Sequence, residues 1–272
     1  MQLDPSAVAA GVQLAALQTI ESTNNEALRR ARRGARGPLW ITAVAQTAGR
    51  GRMDRNWASP AGNLYASLLL SEPSSIERAP ELAFVAVLAL RDAVVAEAAP
   101  LASRLAFKWP NDLLLVDEKC AGILIEGDVG REGEIAPYRS LAVVIGIGVN
   151  CTKHPSAASF PATDLRAHGA DVSPERLFQR LSATMCARIA QWDRGRGFAA
   201  ILGDWLAAAH GVGEEIRVRN GASEKIGRFA GLDQSGRLVL ERPGGVIEKI
   251  SAGDVFPFEM HGGRRTPSQL AE

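Results

Sequence analysis

The chain has 272 residues, of which 46% are apolar, and its formal net charge is +1. The apolar content is enough for a sizeable core and excludes global disorder, while the small net charge disfavours a nucleic-acid-binding protein, whose domains carry a basic excess. Three widely separated cysteines, Cys120, Cys151 and Cys186, disfavour both a disulfide framework and a zinc site.

Helices and short strands alternate over the first 210 residues. Periodicity and turn residues predict helices at 23–33, 80–98, 198–209 and after Ser173-Pro174, and strands at 39–44, 64–70, 105–108, 113–116, 122–127 and 141–148. At the first helix, Ser22-Thr23-Asn24 can cap the N-terminus or bind a small polar ligand, and Thr23 to Glu26 forms a candidate capping box. The pattern indicates an α+β domain with a large mixed β-sheet.

After residue 211 the pattern changes to short strands separated by turns. Segments 215–219, 237–241 and 246–250 alternate, and a turn is predicted at 233–236. These features indicate a small β-barrel. By composition the chain divides into residues 1–210, residues 211–260 and a tail at 261–272 that we expect to be flexible.

The sequence predicts neither a signal peptide nor a membrane-spanning segment. The first residues lack the basic n-region of a signal peptide, and the longest apolar runs, such as 82–90, are too short to span a bilayer. We therefore expect a cytoplasmic protein with reduced cysteines and no membrane contact.

The segment from Gly49 to Trp57 combines glycine with arginine, since Arg50, Arg52 and Arg55 lie within six residues. Glycine lets the backbone turn sharply and approach a ligand, and the planar guanidinium group fits a carboxylate or a phosphate. The pattern predicts an anion-binding loop. A solvated, flexible surface loop is the alternative from composition alone.

A second polar segment lies between two predicted strands. Pro110 interrupts strand structure, so Lys108, Asn111 and Asp112 are presented together at a bend. A lysine ammonium group suits phosphate, and amide and carboxylate oxygens suit Mg²⁺. A polar β-turn is the alternative.

Two further strands carry glycine beside polar residues. Lys119 begins an apolar strand in which Gly122 permits close backbone approach, although an ordinary edge lysine has the same pattern. Gly146 and Gly148 face one side of the next strand and leave room for a ring or a sugar, and Asn150 at its end can address a phosphate or a ribose. This is neither a Rossmann fingerprint nor a P-loop.

Five motifs together have the order and the spacing found in biotin protein ligases. They are Ser22-Thr23-Asn24, Gln46-x-x-Gly49-Arg50-Gly51-Arg52 with Trp57-x-Ser59-Pro60 and Asn63-Leu64-Tyr65, Lys108-Trp109-Pro110-Asn111-Asp112, Lys119-x-Ala121-Gly122-Ile123-Leu124, and Gly146-x-Gly148-Val149-Asn150. Over about residues 15–255 the chain resembles this family, in its ligase-only form without a DNA-binding domain. The resemblance implies a mixed β-sheet flanked by helices, the class II aminoacyl-tRNA synthetase-like or biotin-lipoate ligase fold, with a C-terminal SH3-like β-barrel.

The resemblance also implies the activity. Biotin would be activated with ATP and Mg²⁺ to biotinyl-5′-AMP and transferred to a lysine of a biotin carboxyl carrier domain of acetyl-CoA carboxylase or a related carboxylase. The expected partners are this carrier and, as in many family members, a second copy of the chain, with no nucleic acid and no membrane. Residues 1–210 would then be the catalytic biotin- and ATP-binding domain.

Site residues follow from the same resemblance. The catalytic residues would be Lys119, ranked first, with Arg50, Arg52 and Lys108. The biotin-binding residues would be Ser22, Thr23, Asn24, Gln46, Arg50, Gly51, Arg52, Lys119 and Gly122. The ATP- and AMP-binding residues would be Arg55, Trp57, Lys108, Asn111, Gly148 and Asn150. The Mg²⁺ ligands would be Asn111 and Asp112.

Two departures and three rival functions accompany this interpretation. Asp54 stands where the family usually has glycine, and Met53 where it often has a basic residue, so the affinity of the loop for an anion is in question.

A lipoate ligase or another acyl-protein ligase of the same fold is the nearest rival. A non-catalytic biotin-binding module is the rival of another class, disfavoured because vitamin binding alone needs no phosphate-facing groups. A repressor is disfavoured by the absence of a DNA-binding domain and by the net charge.

Overall fold

A computed structural model describes residues 1–129, 141–156 and 160–258 of the chain. The predicted tail at 261–272 lies outside these residues. The chain divides into two compact units: Met1–His210 with Gln234–Gly236, and Gly211–Asp233 with the residues from Arg237 onward. None of the helices in the described residues has the length and apolar character needed to cross a bilayer.

The first unit is built on a seven-stranded sheet. Its strands are β1 (Gln13–Ile20), β2 (Leu39–Gln46), β3 (Leu64–Ser71), β4 (Leu105–Lys108), β5 (Asp112–Leu115), β6 (Glu118–Val129) and β7 (Leu141–Val149). They are ordered β1-β2-β3-β7-β6-β5-β4, with β1 and β2 parallel and every other pair antiparallel. The predicted mixed sheet is therefore confirmed.

The helices of the first unit pack on this sheet or on one another. They are α1 (Pro5–Ala9), α2 (Thr23–Arg32), α3 (Glu81–Glu97), α4 (Pro174–Trp192) and α5 (Phe198–Leu206). Helix α2 packs on β2, β3 and β7, whereas α3 packs on β5, β6 and β7 and on the helices α4 and α5. Because no charged residue interrupts α3 between Glu81 and Arg91, all residues from Leu82 to Leu90 are buried, and the helix is buried on every side rather than along one stripe.

The N-terminus of α2 differs from the predicted capping box. The N-cap is Ser22, whose hydroxyl accepts from the backbone N–H of Asn25 at 3.4 Å. Glu26 instead pairs with Arg29 and Arg30 one turn further along the helix. The cap is therefore one residue earlier than predicted. Ser22 is the last residue with extended backbone angles, and Thr23 already belongs to the first turn of the helix.

The second unit is a five-stranded antiparallel sheet. It comprises β8 (Glu215–Asn220), β9 (Ser223–Leu232), β10 (Leu238–Arg242), β11 (Val246–Ile250) and β12 (Asp254–Pro257), in the order β11-β10-β9-β8-β12. Ile216, Val218, Phe229 and Leu240 are buried in it. The predicted β module is confirmed, whereas closure into an SH3-like barrel stays a prediction.

Candidate active site

The predicted site residues come together on one face of the seven-stranded sheet. Strand register places Asp112 beside Gly122, Gly122 beside Gly148, and Gly148 beside Tyr65, so these four form a row across β5, β6, β7 and β3. The start of α2 and the loop after β2 lie over the same face, because Asn24 and Trp57 contact Gly146 and Gly148. The site is thus assembled from segments that are up to about a hundred residues apart, as in the hydrogen bond between residues 24 and 126.

The space next to the glycines of this face is filled by the protein's own side chains. A Cβ atom on Gly148 would lie 2.6 Å from Trp57 Nε1, and one on Gly146 would lie 2.3 Å from Asn24 Oδ1. A Cβ on Gly122 would lie 3.2 Å from both Trp57 Cζ3 and Lys119 Cε. The glycines are therefore required for close approach, but the room predicted for a ring or a sugar is filled by an indole and an amide.

Trp57 has an unusual polar environment in this position. Its Nε1 is buried and has no acceptor among the described residues, while Lys119 Nζ lies 5.3 Å from the centre of its ring. A buried N–H without a partner costs about 1–3 kcal/mol. The Nε1 atom lies against Gly148, and an acceptor oxygen within hydrogen-bonding distance would remove that cost.

Two lysines neutralise one buried carboxylate. Lys119 Nζ lies 2.7 Å from Asp112 Oδ1, and Lys108 Nζ lies 3.5 Å from Oδ2. Burial alone would raise the pKa of Asp112, but the Lys119 and Lys108 ammonium groups outweigh burial and hold that pKa below its usual range. The carboxylate stays ionised and fixes both ammonium groups in the site.

The two lysines differ in what they can reach. The Lys108 side chain is 7% exposed and packs against the Phe160 ring, 4.3 Å from its centre, whereas the Lys119 side chain is 24% exposed. Lys119 is further held by its backbone, which pairs with the segment of Pro161 and Thr163. Of the two ammonium groups, Lys119 is therefore the better placed to contact a ligand.

Asn111 and Asp112 do not fit a protein-held magnesium ion. Asn111 Oδ1 accepts from Arg52 Nη1 at 2.9 Å, and its Nδ2 donates to the carbonyl of Ile123 at 2.5 Å. Both oxygens of Asp112 face ammonium groups. No group of three or more His, Cys, Asp or Glu side chains forms a metal-binding cluster in the described ranges. The donor atoms that Mg²⁺ would need are thus already committed to cations and to the backbone.

A polar pocket lies at the start of α2. Gln46 Oε1 accepts from the backbone N–H of Thr23 at 2.8 Å and lies 3.1 Å from Thr23 Oγ1, and Gln46 Nε2 donates to Ser59 Oγ at 2.9 Å. Ser22 is 2% exposed and serves the helix cap. Thr23 and Gln46 thus form the polar centre of the predicted biotin subsite, with Ser22 beneath them.

The Arg/Gly loop forms a closed turn over the site. Gly51 N–H donates to the carbonyl of Arg55 at 2.7 Å, and Trp57 N–H donates to that of Gly49 at 2.9 Å. A Cβ on Gly49 would lie 2.4 Å from the Trp57 carbonyl oxygen, so this position requires glycine. Arg55 Nε donates to the carbonyl of Arg52 at 3.1 Å and thereby braces the turn.

At the tip of this turn, Met53 and Asp54 both have a φ of 55°, in the left-handed region. This is the pair at which the sequence departs from the family pattern, and aspartate adopts that region at lower cost than most residues. Both side chains are exposed. The loop therefore keeps its turn without the glycine, while the carboxylate at its tip points to solvent.

The arginines of the loop have partners inside the site. Arg50 Nη1 donates to Asn25 Oδ1 at 2.7 Å and lies 3.0 Å from Glu126 Oε1. Arg52 contacts Asn111. These contacts attach the loop to α2, β6 and the β4–β5 hairpin, so the guanidinium groups hold the loop in place over the sheet.

Asn150 is buried and organises the loop that follows β7. Its Nδ2 donates to the carbonyl of Thr163 at 3.0 Å, and its backbone N–H to that of Cys120 at 2.8 Å. Asn63 Oδ1 accepts from the backbone N–H groups of residues 151, 152 and 153. Both amides connect the end of β7 to neighbouring segments, and the role of Asn63 was not deduced from the sequence.

Sequence reasoning also missed Ser67 and Glu126. Ser67 is fully buried in β3, 2.7 Å from Thr23 Oγ1 and 2.5 Å from Asn24 Oδ1, and Glu126 accepts from Asn24 Nδ2 at 2.8 Å. The available signal for Ser67 was a hydroxyl within the apolar run 64–70, and for Glu126 a carboxylate directly after the apolar run 122–125. Such residues need buried partners, which is itself a hint of a site.

Comparison with known proteins places this arrangement in a family. Residues 16–150 match the model of the biotin/lipoate A/B protein ligase family, and residues 211–256 match that of the biotin protein ligase C-terminal domain. A biotin–[acetyl-CoA-carboxylase] ligase of Paracoccus denitrificans is 42% identical over 246 residues, which are 88% of this chain and 98% of that protein.

Solved structures of similar proteins have the same fold. A biotin protein ligase from Aquifex aeolicus in complex with biotin and ATP superposes with a TM-score of 0.73 at 23% identity, covering 90% of this chain and 97% of that one. A biotin protein ligase from Leishmania major in complex with biotinyl-5-AMP has a TM-score of 0.61 at 26% identity, covering 88% and 99%. Because the Paracoccus denitrificans relative is 42% identical over almost its whole length and the family models match both units, the chain belongs to the biotin protein ligases of the biotin/lipoate A/B protein ligase family.

Proposed function

We propose that this chain activates biotin with ATP to biotinyl-5′-AMP and transfers the biotinyl group to a lysine of a biotin carboxyl carrier domain. The observation that carries the proposal is the juxtaposition, on one sheet face, of the Thr23–Gln46 polar pocket with the Lys119–Asp112–Lys108 charge cluster. The pocket offers donors and acceptors for a ureido ring, and the cluster offers cations for a carboxylate and a phosphate.

In the first step a biotin carboxylate oxygen attacks the α-phosphorus of ATP. The bond between the α-phosphorus and the bridging oxygen of the β-phosphate breaks, and pyrophosphate leaves with that electron pair. Carboxylate and triphosphate are both anions, so their repulsion must be offset by fixed positive charge. Lys119 is assigned to the carboxylate and the α-phosphate, because its ammonium group is oriented by Asp112 and remains partly exposed. Lys108, Arg52 and Arg55 supply further positive charge.

In the second step the amine of the carrier lysine attacks the acyl carbon of the mixed anhydride. The bond from that carbon to the phosphate oxygen breaks, AMP leaves, and the amine loses a proton as the amide forms. The anhydride is sensitive to water, so a loop closed over it protects the intermediate. Trp57 and the Arg/Gly loop take this role, with Trp57 covering the adenine or closing the loop.

In this proposal magnesium binds together with ATP. Since Asn111 and Asp112 are committed to other partners, the metal is bound as part of the nucleotide, and the cationic side chains of Lys108 and Arg52 orient the phosphates. The biotin carboxyl carrier domain of a carboxylase is the proposed protein substrate. We also propose that the chain forms a homodimer and is located in the cytoplasm.

A lipoate ligase is the rival function that shares this fold. The dithiolane ring of lipoate has neither N–H groups nor a carbonyl, so it could form no hydrogen bond of this kind with Thr23 or Gln46. Sites built to hydrogen-bond a ligand reject analogues that lack the matching groups. The polar pocket therefore favours biotin.

The test is pyrophosphate release with ATP and either biotin or lipoate, followed by labelling of a carrier domain. Biotin-dependent release and ATP-dependent labelling are expected. Pyrophosphate release with lipoate but not with biotin would identify a lipoate ligase. Biotin binding without pyrophosphate release would identify a non-catalytic binding module.

A further inference from the structure

A buried chain of polar side chains runs beneath the start of α2 and ends at a carboxylate. Asn24 Nδ2 donates to Glu126 Oε2 at 2.8 Å, Asn24 Oδ1 lies 2.5 Å from Ser67 Oγ, and Ser67 Oγ lies 2.7 Å from Thr23 Oγ1. We name Glu126, Asn24, Ser67 and Thr23 the relay. It connects a charge on β6 to the polar pocket.

The carboxylate of Glu126 sets the orientation of the Asn24 amide. A carboxylate only accepts hydrogen bonds, so the NH₂ group of Asn24 must face Glu126 and its oxygen must face Ser67. An amide oxygen only accepts as well. The single hydroxyl proton of Ser67 is therefore committed to Asn24 Oδ1, and Ser67 Oγ can only accept from Thr23.

A count of the hydroxyl protons leads to the same direction of hydrogen-bond donation, from Thr23 to Ser67 and from Ser67 to Asn24. The three contacts Ser67–Asn24, Ser67–Thr23 and Thr23–Gln46 measure 2.5, 2.7 and 3.1 Å between oxygens, and they share two hydroxyl protons. One contact must lack a proton. Two oxygens without a proton between them repel, so the unprotonated contact is the longest one, between Thr23 Oγ1 and Gln46 Oε1.

Gln46 cannot turn its NH₂ group toward Thr23 to remove this repulsion. Its Oε1 already accepts from the backbone N–H of Thr23, and its Nε2 donates to Ser59 Oγ. Two acceptor oxygens, Thr23 Oγ1 and Gln46 Oε1, thus converge without a proton between them. A ligand N–H placed between them would satisfy both.

We propose that Glu126 is a positioning residue for the ligand, because it directs the relay so that Thr23 and Gln46 present two acceptors to one ligand N–H. The inference rests on the proposed function, in which that N–H belongs to the ureido ring of biotin. It adds to that function a reason for selectivity: the same pair of oxygens repels a ring atom that carries no proton.

Two variants test the relay, and a third is the matched control. Glu126→Gln can turn its own NH₂ group toward Asn24, which allows the amide of Asn24 to flip and the relay to reverse. Because Glu126 also pairs with Arg50, Ser67→Ala breaks the relay without touching that ion pair. Asp128→Asn is the control: it lies two residues further on β6 and pairs with Arg32 of α2 at 2.6 Å, outside the relay.

The measurement is biotin-dependent pyrophosphate release, with thermal unfolding to show that each variant is folded. We expect the KM for biotin to rise on the order of tenfold in Glu126→Gln and in Ser67→Ala, the effect of one lost hydrogen bond to a ligand. The kcat at saturating biotin should change less than about threefold, since the chemistry is untouched. Asp128→Asn should behave as wild type.

A double variant separates the relay from two independent effects. If the residues act through one chain, the Glu126→Gln/Ser67→Ala variant should raise KM by less than the product of the single effects. A normal KM for Ser67→Ala would overturn the relay, and so would a double variant whose KM rises by the full product of the two single effects. In either case, activity of the wild-type chain would leave the proposed function intact. Absence of biotin-dependent pyrophosphate release by the wild-type chain would instead refute the proposed function itself.

Discussion

Removal of the Lys119 ammonium group is expected to affect activity and stability separately. Lys119→Met keeps the length of the side chain but deletes the cation nearest to Asp112 Oδ1. Loss of one preorganised group that stabilises developing charge costs about 3–4 kcal/mol, so adenylate formation should fall by about 10²–10³-fold. The assay is biotin-dependent pyrophosphate release at saturating ATP.

The stability effect follows from the carboxylate left behind. Removing one partner of a buried ion pair costs about 3–5 kcal/mol, but Lys119 is partly exposed and Lys108 remains 3.5 Å from Asp112, so we expect about 1–3 kcal/mol at pH 7. Urea unfolding measures this loss. Lys225→Met, which breaks a partly exposed pair with Glu248 in the second unit, should cost less than about 1 kcal/mol as the matched control.

The pH dependence of this loss has a defined sign. In the wild type the pKa of Asp112 is depressed below 3.8, so the folded state binds its proton less readily than the unfolded state, and the contribution to stability is present above pH 3.8 and is lost as pH falls through the folded pKa. Without Lys119 that pKa rises. The destabilisation by Lys119→Met should therefore be largest at neutral pH and shrink as the pH falls toward 3.8 and below.

The double variant Lys119→Met/Asp112→Asn distinguishes structure from chemistry. It removes the buried carboxylate together with one of its two cationic partners, so part of the unfolding free energy should recover while pyrophosphate release stays low. Recovery should be incomplete, because the buried Lys108 loses the same carboxylate. Recovery of activity in the double variant would refute the catalytic assignment of Lys119. An equal stability loss at pH 7 and at pH 3.5 would refute the electrostatic explanation.

Three further predictions concern the loop and the glycine face. Gly148→Ala should destabilise the protein by about 1–3 kcal/mol and raise the KM for ATP, because the new Cβ would lie 2.6 Å from Trp57 Nε1; thermal unfolding and substrate titration check both effects. Asp54→Gly should change stability by less than about 0.5 kcal/mol, since relief of the left-handed conformation is offset by the greater chain entropy of glycine when unfolded, and should tighten ATP binding in a salt-dependent way. Proteolysis within residues 49–57 should slow when biotin is added, and equal cleavage with and without biotin would contradict closure of the loop on the ligand.

Most of the sheet and the helices followed from local patterns, and the exceptions have local causes. β1 was not predicted because it is an edge strand with a largely exposed, irregular burial pattern, and β9 was not predicted because its exposed charges obscure the alternation. Helix α3 was predicted, but the burial of all residues from Leu82 to Leu90 was not, since it depends on α4 and α5 packing against the helix as well as the sheet. The elements were thus predictable wherever the period of apolar residues was strong.

The candidate site was predictable as a set of residues but not as a set of contacts. The motifs identified Thr23, Gln46, Lys119 and Trp57, and all lie on one sheet face. The glycines were predicted to leave space for a ligand, but Trp57 and Asn24 occupy it. Likewise, the predicted Mg²⁺ ligand Asp112 is paired with two lysines, because strand register places Lys119 opposite the β4–β5 hairpin.

The sequence by itself determined the fold class, the family and the residue types that gather at the site, because periodicity, turn residues and motif spacing are local properties of the chain. Only the tertiary structure decided which side chains are partners. Glu126 and Asn24 are 102 residues apart, and Arg52 and Asn111 are 59 residues apart. A hydrogen bond forms over about 3 Å of space, and that proximity depends on strand pairing and helix docking, which no local pattern encodes.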